Sequence, residues 1–105
     1  MNTSTTSAEI AATIYHQLGG GRFGIMTGAK NLIHGDNGLR FNLPRGFAKN
    51  GINLVKVTLT EWDTYTVEFM KYRNLEVKTI ATEDMVYADQ LRAIFTKNTG
   101  LDCTF

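Results

Sequence analysis

The chain has 105 residues, 43% of them hydrophobic and 20% charged, with a net charge of +1 and a single cysteine, Cys103. That length holds one domain with a core of its own, and the composition excludes a disordered or fibrous chain. One thiol excludes an intramolecular disulfide and a zinc site built on paired cysteines, and a reducing cytoplasm is the expected setting. With no basic start leading into an apolar run, and no eighteen consecutive apolar residues, neither secretion nor a membrane association is expected.

Residues 1–5 are polar and without an apolar anchor, so disorder is expected there. Thr6 with Glu9 three residues later forms a capping-box pattern. Ile10, Ile14 and Leu18 then recur every four residues until Gly19-Gly20-Gly21, which predicts a helix over 7–18. From Phe23 to Gly28 the period changes to two, with Phe23, Ile25 and Thr27 on one face, the pattern of a strand. Residues 30–34 read as a short strand. Gly35-Asp36-Asn37-Gly38 is a hairpin signal because Asn and Gly accept positive φ. Leu39, Phe41 and Leu43 alternate with Arg40 and Asn42 as a half-buried strand that Pro44 ends.

Residues 44–51 have loop chemistry, with Phe47 left outside any pattern. Residues 52–59 and 64–72 are rich in β-branched and aromatic side chains and flank the turn Glu61-Trp62-Asp63, which predicts a hairpin. A further strand is expected near 75–80. Thr82 reads as the cap of a second helix with Glu83 and Asp84 in its first turn, Ala88, Leu91 and Phe95 as its apolar stripe, Tyr87 and Ile94 at the margins, and Gly100 closing it. Leu101, Cys103 and Phe105 alternate as a short edge strand would. Together these elements predict a single α+β domain over 1–105: an antiparallel meander of about five strands with an N-terminal and a C-terminal helix packed on one face, the face of Phe41, Val55, Val57, Tyr65, Val67 and Phe69.

Catalytic chemistry finds little support. His16 and His34 are the only histidines, neither has a ligand-like neighbour at helical or hairpin spacing, and Asp36 lies in a turn where Asp bonds to backbone. Cys103 sits in a terminal apolar alternation, without the cationic setting that makes a thiolate, and is expected to be dispensable. Gly19-Gly20-Gly21-Arg22-Phe23-Gly24 has the glycines of a phosphate loop but follows a helix, where such loops follow a strand. No catalytic residue, metal or cofactor is expected, and the chain reads as no enzyme.

Charge is unevenly placed. Residues 22–78 carry nine basic and five acidic side chains, a net of +4, while both ends are acidic. Arg40, Lys56, Lys71 and Lys78, the loop cations Arg45 and Lys49, and the aromatics Phe47, Trp62 and Tyr72 compose a basic surface with rings for stacking, the combination that binds nucleic acid. Arg40, Arg45, Phe47, Lys49 and Lys56 are therefore the candidate binding residues. The alternative partner is another protein, whose binding would need an exposed apolar patch with a polar rim. A homodimer is also compatible with the sequence.

The stretch Leu18-Gly19-Gly20-Gly21-Arg22-Phe23, Met26-Thr27-Gly28-Ala29-Lys30-Asn31, Leu39-Arg40-Phe41-Asn42-Leu43-Pro44, Gly51-Ile52-Asn53 and Asp63-Thr64-Tyr65 resembles small uncharacterised proteins carried by bacteriophages and other bacterial mobile elements, over about residues 13–70. The resemblance implies a source in such elements and a cytoplasmic site of action in a bacterial host. It implies a non-enzymatic protein that binds nucleic acid or a host protein, and it brings no catalytic residues.

Overall fold

The computed structural model describes residues 7–35, 37–44, 46 and 48–101. Thr6, Asp36, Cys103, Phe105 and residues 1–5, all of which carried expectations, lie outside the described residues. The first helix, α1, is Ser7–Leu18, and its apolar repeat buries Ile10, Ile14 and Leu18 as the four-residue spacing requires. A sheet follows in which each strand pairs antiparallel with its neighbours in sequence: β1 Lys30–Gly35, β2 Gly38–Asn42, β3 Leu54–Leu59, β4 Tyr65–Arg73 and β5 Glu76–Val86. The last helix, α3, is Leu91–Thr99. Five antiparallel strands with a helix at each end of the chain make this the α+β meander that the sequence predicts.

Register explains the core. Phe41 opposes Val55, which opposes Phe69, and Leu39, Val57 and Val67 form the neighbouring row. With a side-chain period of two, one face collects Leu39, Phe41, Val55, Val57, Tyr65, Val67 and Phe69, all 5% exposed or less, and the helices pack on it. Among the described residues no helix lies over the other face of the sheet. Met70 lies on that open face, yet it is only 8% exposed between its cross-strand neighbours Leu54 and Thr79.

Two elements differ from the sequence reading. Residues 23–28 are not a strand: Gly21–Thr27 is a helix, α2, entered at Gly20 and closed by Gly28 at φ 75. A strand would put Phe23, Ile25 and Thr27 on one face. The helix instead buries Phe23 and Thr27, four apart, and turns Ile25 outward to 86% exposure. Phe23 gains the centre of an aromatic cluster, edge-on to Phe41 at 5.3 Å and to Phe95 at 5.0 Å.

The second difference is at Thr82, which caps no helix. β5 runs through it to Val86, with Thr82 opposite Glu68 and Glu83 opposite Val67. A register shift near Phe69 and Met70 places both Ile80 and Ala81 against the core, so the alternation that marks a strand is broken where it was needed. The helix starts later, after a 3-10 turn at Ala88–Gln90 in which Tyr87 N–H donates to Gln90 Oε1 at 3.1 Å. Leu91 and Phe95 form its buried stripe with Ile94 beside them, while Ala88 and Tyr87 are exposed. Leu101 is in no strand.

Glu83, freed from the helix, ties α3 to the sheet. Its Oε2 accepts from Asn98 Nδ2 at 3.1 Å and from Lys97 Nζ at 3.2 Å. The bond from Asn98 first, and that from Lys97 second, hold the carboxyl below its ordinary pKa. The unfolded chain then binds that proton more readily, so the stabilisation is present above the ordinary carboxylate pKa and is lost as pH falls through the folded one. Glu83→Gln is expected to lessen the decline of stability on the acid side, by less than about 1 kcal/mol for so exposed a pair. Urea melts at a series of pH values read this directly, and an unchanged acid slope would detach Glu83 from the effect.

Both helices on either side of Phe41 end alike. Thr27 Oγ1 donates to Phe23 O at 2.7 Å and accepts from Ala29 N–H at 3.2 Å, while Thr99 Oγ1 donates to Phe95 O at 2.7 Å and accepts from Leu101 N–H at 3.1 Å. Gly28 and Gly100 follow at φ 75 and 77. The sequence Phe-x-x-x-Thr-Gly thus occurs twice, each time closing a helix with a fully buried hydroxyl whose donor and acceptor roles are both used.

Candidate functional site

The structure divides the predicted basic residues into two groups. Arg40 on β2 and Lys56 on β3 are direct cross-strand partners, and both project from the open face because each alternates with core residues. Lys56 in turn opposes Glu68 on β4. Lys30, at the start of β1, shares the open face through its pairing with Asn42. Lys49 does not join them. It lies in a 3-10 turn, Lys49–Gly51, with its stem against Gly100 at the end of α3, where a Cβ on that glycine would meet Lys49 Cδ at 3.8 Å. A cation beside the negative end of a helix dipole has a structural use there. Arg45 and Phe47 lie outside the described residues.

A second cationic group forms where β4 and β5 run past the end of β3. The last β3 pairing is Leu54 with Met70, and beyond it Lys71 opposes Lys78, Tyr72 opposes Val77 and Arg73 opposes Glu76. Asn53 steadies the base of this arm: its Oδ1 accepts from Tyr72 N–H at 2.7 Å and its Nδ2 donates to Tyr72 O at 2.9 Å, so one side-chain amide stands in for a strand residue. Gly51, at φ 71, lets Lys71 lie across the loop, since a Cβ there would meet Lys71 Cδ and Cε at 3.2 Å and Nζ at 3.3 Å. A cleft of about 350 Å³ opens between loop and arm, lined by Gly46, Gly51, Asn53, Lys71, Tyr72 and Arg73. A hollow of about 260 Å³ adjoins it along Lys71, Arg73, Glu76 and Lys78.

Like charges placed directly opposite in a sheet repel. Arg40, Lys56, Lys71, Arg73 and Lys78 make no ion pair among the described residues. The rings expected to stack bases are not brought together: Trp62, 71% exposed, stands in the β3–β4 turn, and Tyr72, 44% exposed, is at the opposite end of β4. Sequence reasoning included Lys71 and Lys78 in the basic surface but not among the binding residues. The cue was in the sequence: Lys71 and Lys78 are equidistant from Asn74-Leu75, so a two-residue turn there sets them opposite each other.

His16 is exposed on α1, whereas His34 lines a shallow apolar groove with Ala11, Ala12, Tyr15, Leu32 and Leu39 and also a hollow shared with Arg40 and Lys56. Among the described residues no three or more His, Cys, Asp and Glu side chains are grouped to hold a metal ion, and no helix is long and apolar enough to cross a membrane. Burial pushes the Tyr65 phenol above its ordinary pKa, against the opposing effect of its 2.8 Å hydrogen bond to Gln17 Oε1. That bond joins β4 to α1 and faces none of the cations. No family model, no curated protein and no solved structure matches the chain.

Proposed function

We propose that this is a non-enzymatic domain that binds nucleic acid, its cations making contact with phosphates. The observation that supports the reading is the two pairs of like-charged cross-strand neighbours, Arg40 with Lys56 and Lys71 with Lys78, held opposite each other and in no ion pair among the described residues, although Glu68 opposes Lys56 and Glu76 lies beside the second pair. Their repulsion would be relieved by an anionic partner. The scarcity of neighbouring rings favours phosphate contact over base stacking. A mobile-element origin and action in a bacterial cytoplasm belong to the same proposal and rest on the resemblance in the sequence.

Binding to DNA titrated with salt is the test. Log affinity should fall linearly with log salt, and replacing Arg40 and Lys56 together by Ala should flatten that slope by nearly two units, about one per phosphate-contacting cation. Stability should change little, since the double variant removes the Arg40–Lys56 repulsion together with the attraction between Lys56 and the opposing Glu68. A wild-type protein with no salt-dependent affinity for single-stranded or duplex DNA would end this reading. A second reading, a host-protein partner, is favoured by the exposed apolar side chains Ile25 and Met26 on α2 and Leu32 and Ile33 on the edge strand β1. It would take the first one's place on that result.

A further inference from the structure

The tip of the β4–β5 arm is unusual in its backbone. Asn74 and Leu75 form a two-residue turn with φ 54 and 65, values that suit Asn followed by Gly. Of the seven non-glycine residues at positive φ among those described, five are Asn or Asp, whose short polar side chains tolerate that region. Leu75 has no such excuse, and it is 89% exposed, more than any other large apolar side chain in the described structure. A strained and fully solvated leucine gives folding nothing, and strain held at a projecting tip points to use there.

Chemistry differs along the arm. Lys71, Arg73 and Lys78 share one face with Glu76, for a net of +2, Tyr72 and Val77 occupy the other, and every residue from Tyr72 to Thr79 is exposed. From the last pairing with β3 to the tip the arm extends four residues, roughly 13 Å at strand rise. That exceeds the depth of the B-form major groove, about 8.5 Å, and the groove's width of about 12 Å admits a two-stranded ribbon. A-form RNA offers a major groove too narrow for side chains to read.

Taking nucleic-acid binding as given, we infer that the β4–β5 arm enters the major groove of B-form duplex DNA, with Lys71, Arg73 and Lys78 on the phosphates of one wall and Leu75 on a thymine methyl at the floor. Phosphate contacts set the position, and the apolar tip reads a methyl that only thymine presents.

Three proteins, wild type, Lys71→Ala/Arg73→Ala/Lys78→Ala and Leu75→Gly, would be titrated against one thymine-rich duplex, the same duplex with uracil for thymine, a single strand, and duplex RNA, at several salt concentrations. The triple variant is expected to flatten the salt slope on duplex DNA by roughly three units. Leu75→Gly is expected to fold at least as stably, because glycine takes that φ freely, and to bind thymine duplex about tenfold more weakly, the scale of one lost apolar contact. On uracil duplex the wild type should already bind that weakly, and Leu75→Gly should cost nothing more. Wild-type affinity for DNA that neither variant alters would overturn the arm while leaving nucleic-acid binding standing. Equal affinity for single strands or duplex RNA would overturn the groove assignment. Absence of any DNA binding by the wild type would remove both this inference and the reading beneath it.

Discussion

Replacing Phe23 by Ala should cost about 3 to 5 kcal/mol of stability, the range for a buried phenylalanine whose site cannot collapse. Phe23 is fully buried and is the side chain through which three separate elements meet: α2, which carries it, Phe41 on β2 and Phe95 on α3. Phe41 and Phe95 are themselves 6.2 Å apart, a looser, tilted contact, so removing the ring between them leaves two aromatic faces without their edge-on partner. The short helix α2 has little reason to form alone, since seven residues are well below the length at which isolated helices persist. Denaturant unfolding of Phe23→Ala measures the loss, and amide exchange should show Gly21–Thr27 losing protection first. A loss below about 1 kcal/mol would mean that residues 21–27 fill the core in some other way, the predicted strand included.

Gly38→Ala is expected to be nearly as damaging, by about 3 kcal/mol, for a different reason. Gly38 is buried, pairs with Gly35 on one side and Thr58 on the other, and does not sit at positive φ. It is Asn37 that takes the left-handed conformation of the turn, at φ 60. What excludes a side chain at Gly38 is proximity: a Cβ would overlap the Val57 carbonyl oxygen and lie 3.0 Å from Thr58 Cα. Both obstacles are backbone, so no rotamer change can make room, and the β2–β3 register must open at that end. Urea melts should show the loss, and amide exchange should rise at Leu59, whose N–H donates to Asn37 O at 2.9 Å across the same junction. A Gly38→Ala protein as stable as wild type would show that β2 and β3 separate there without cost.

Much of the fold is legible in the sequence because most elements keep one period throughout. Residues 39–43, 54–59 and 65–69 alternate cleanly, and the register follows from matching their apolar faces. Two stretches fail for identifiable reasons. In 23–28 the apolar residues satisfy both a period of two and a spacing of four, and the choice falls to the Thr-Gly ending, which the repeat in 95–100 would have disclosed. In 76–86 the strand is irregular, so Thr82-Glu83-Asp84 mimics a helix start. For the candidate site, parity along a strand suffices to join Arg40 to Lys56. Lys49, by contrast, goes where the loop takes it, and the Lys71–Lys78 pair depends on locating the Asn74-Leu75 turn.

The strictly sequential strand order also bears on how the chain finds its structure. Each of the four pairings in the sheet links neighbours in sequence, so each closes over a loop of modest length, and the entropy lost grows only slowly from one hairpin to the next. Such a sheet can assemble by successive local steps, outward from the β3–β4 hairpin. The demanding step is the meeting of the chain's two ends, where Phe23 must find Phe95 and α1 must come to lie beside α3. Contacts of that span are the ones that slow folding, so the rate at which this domain folds should be governed by its helices, although its strands hold slightly more residues than its helices do.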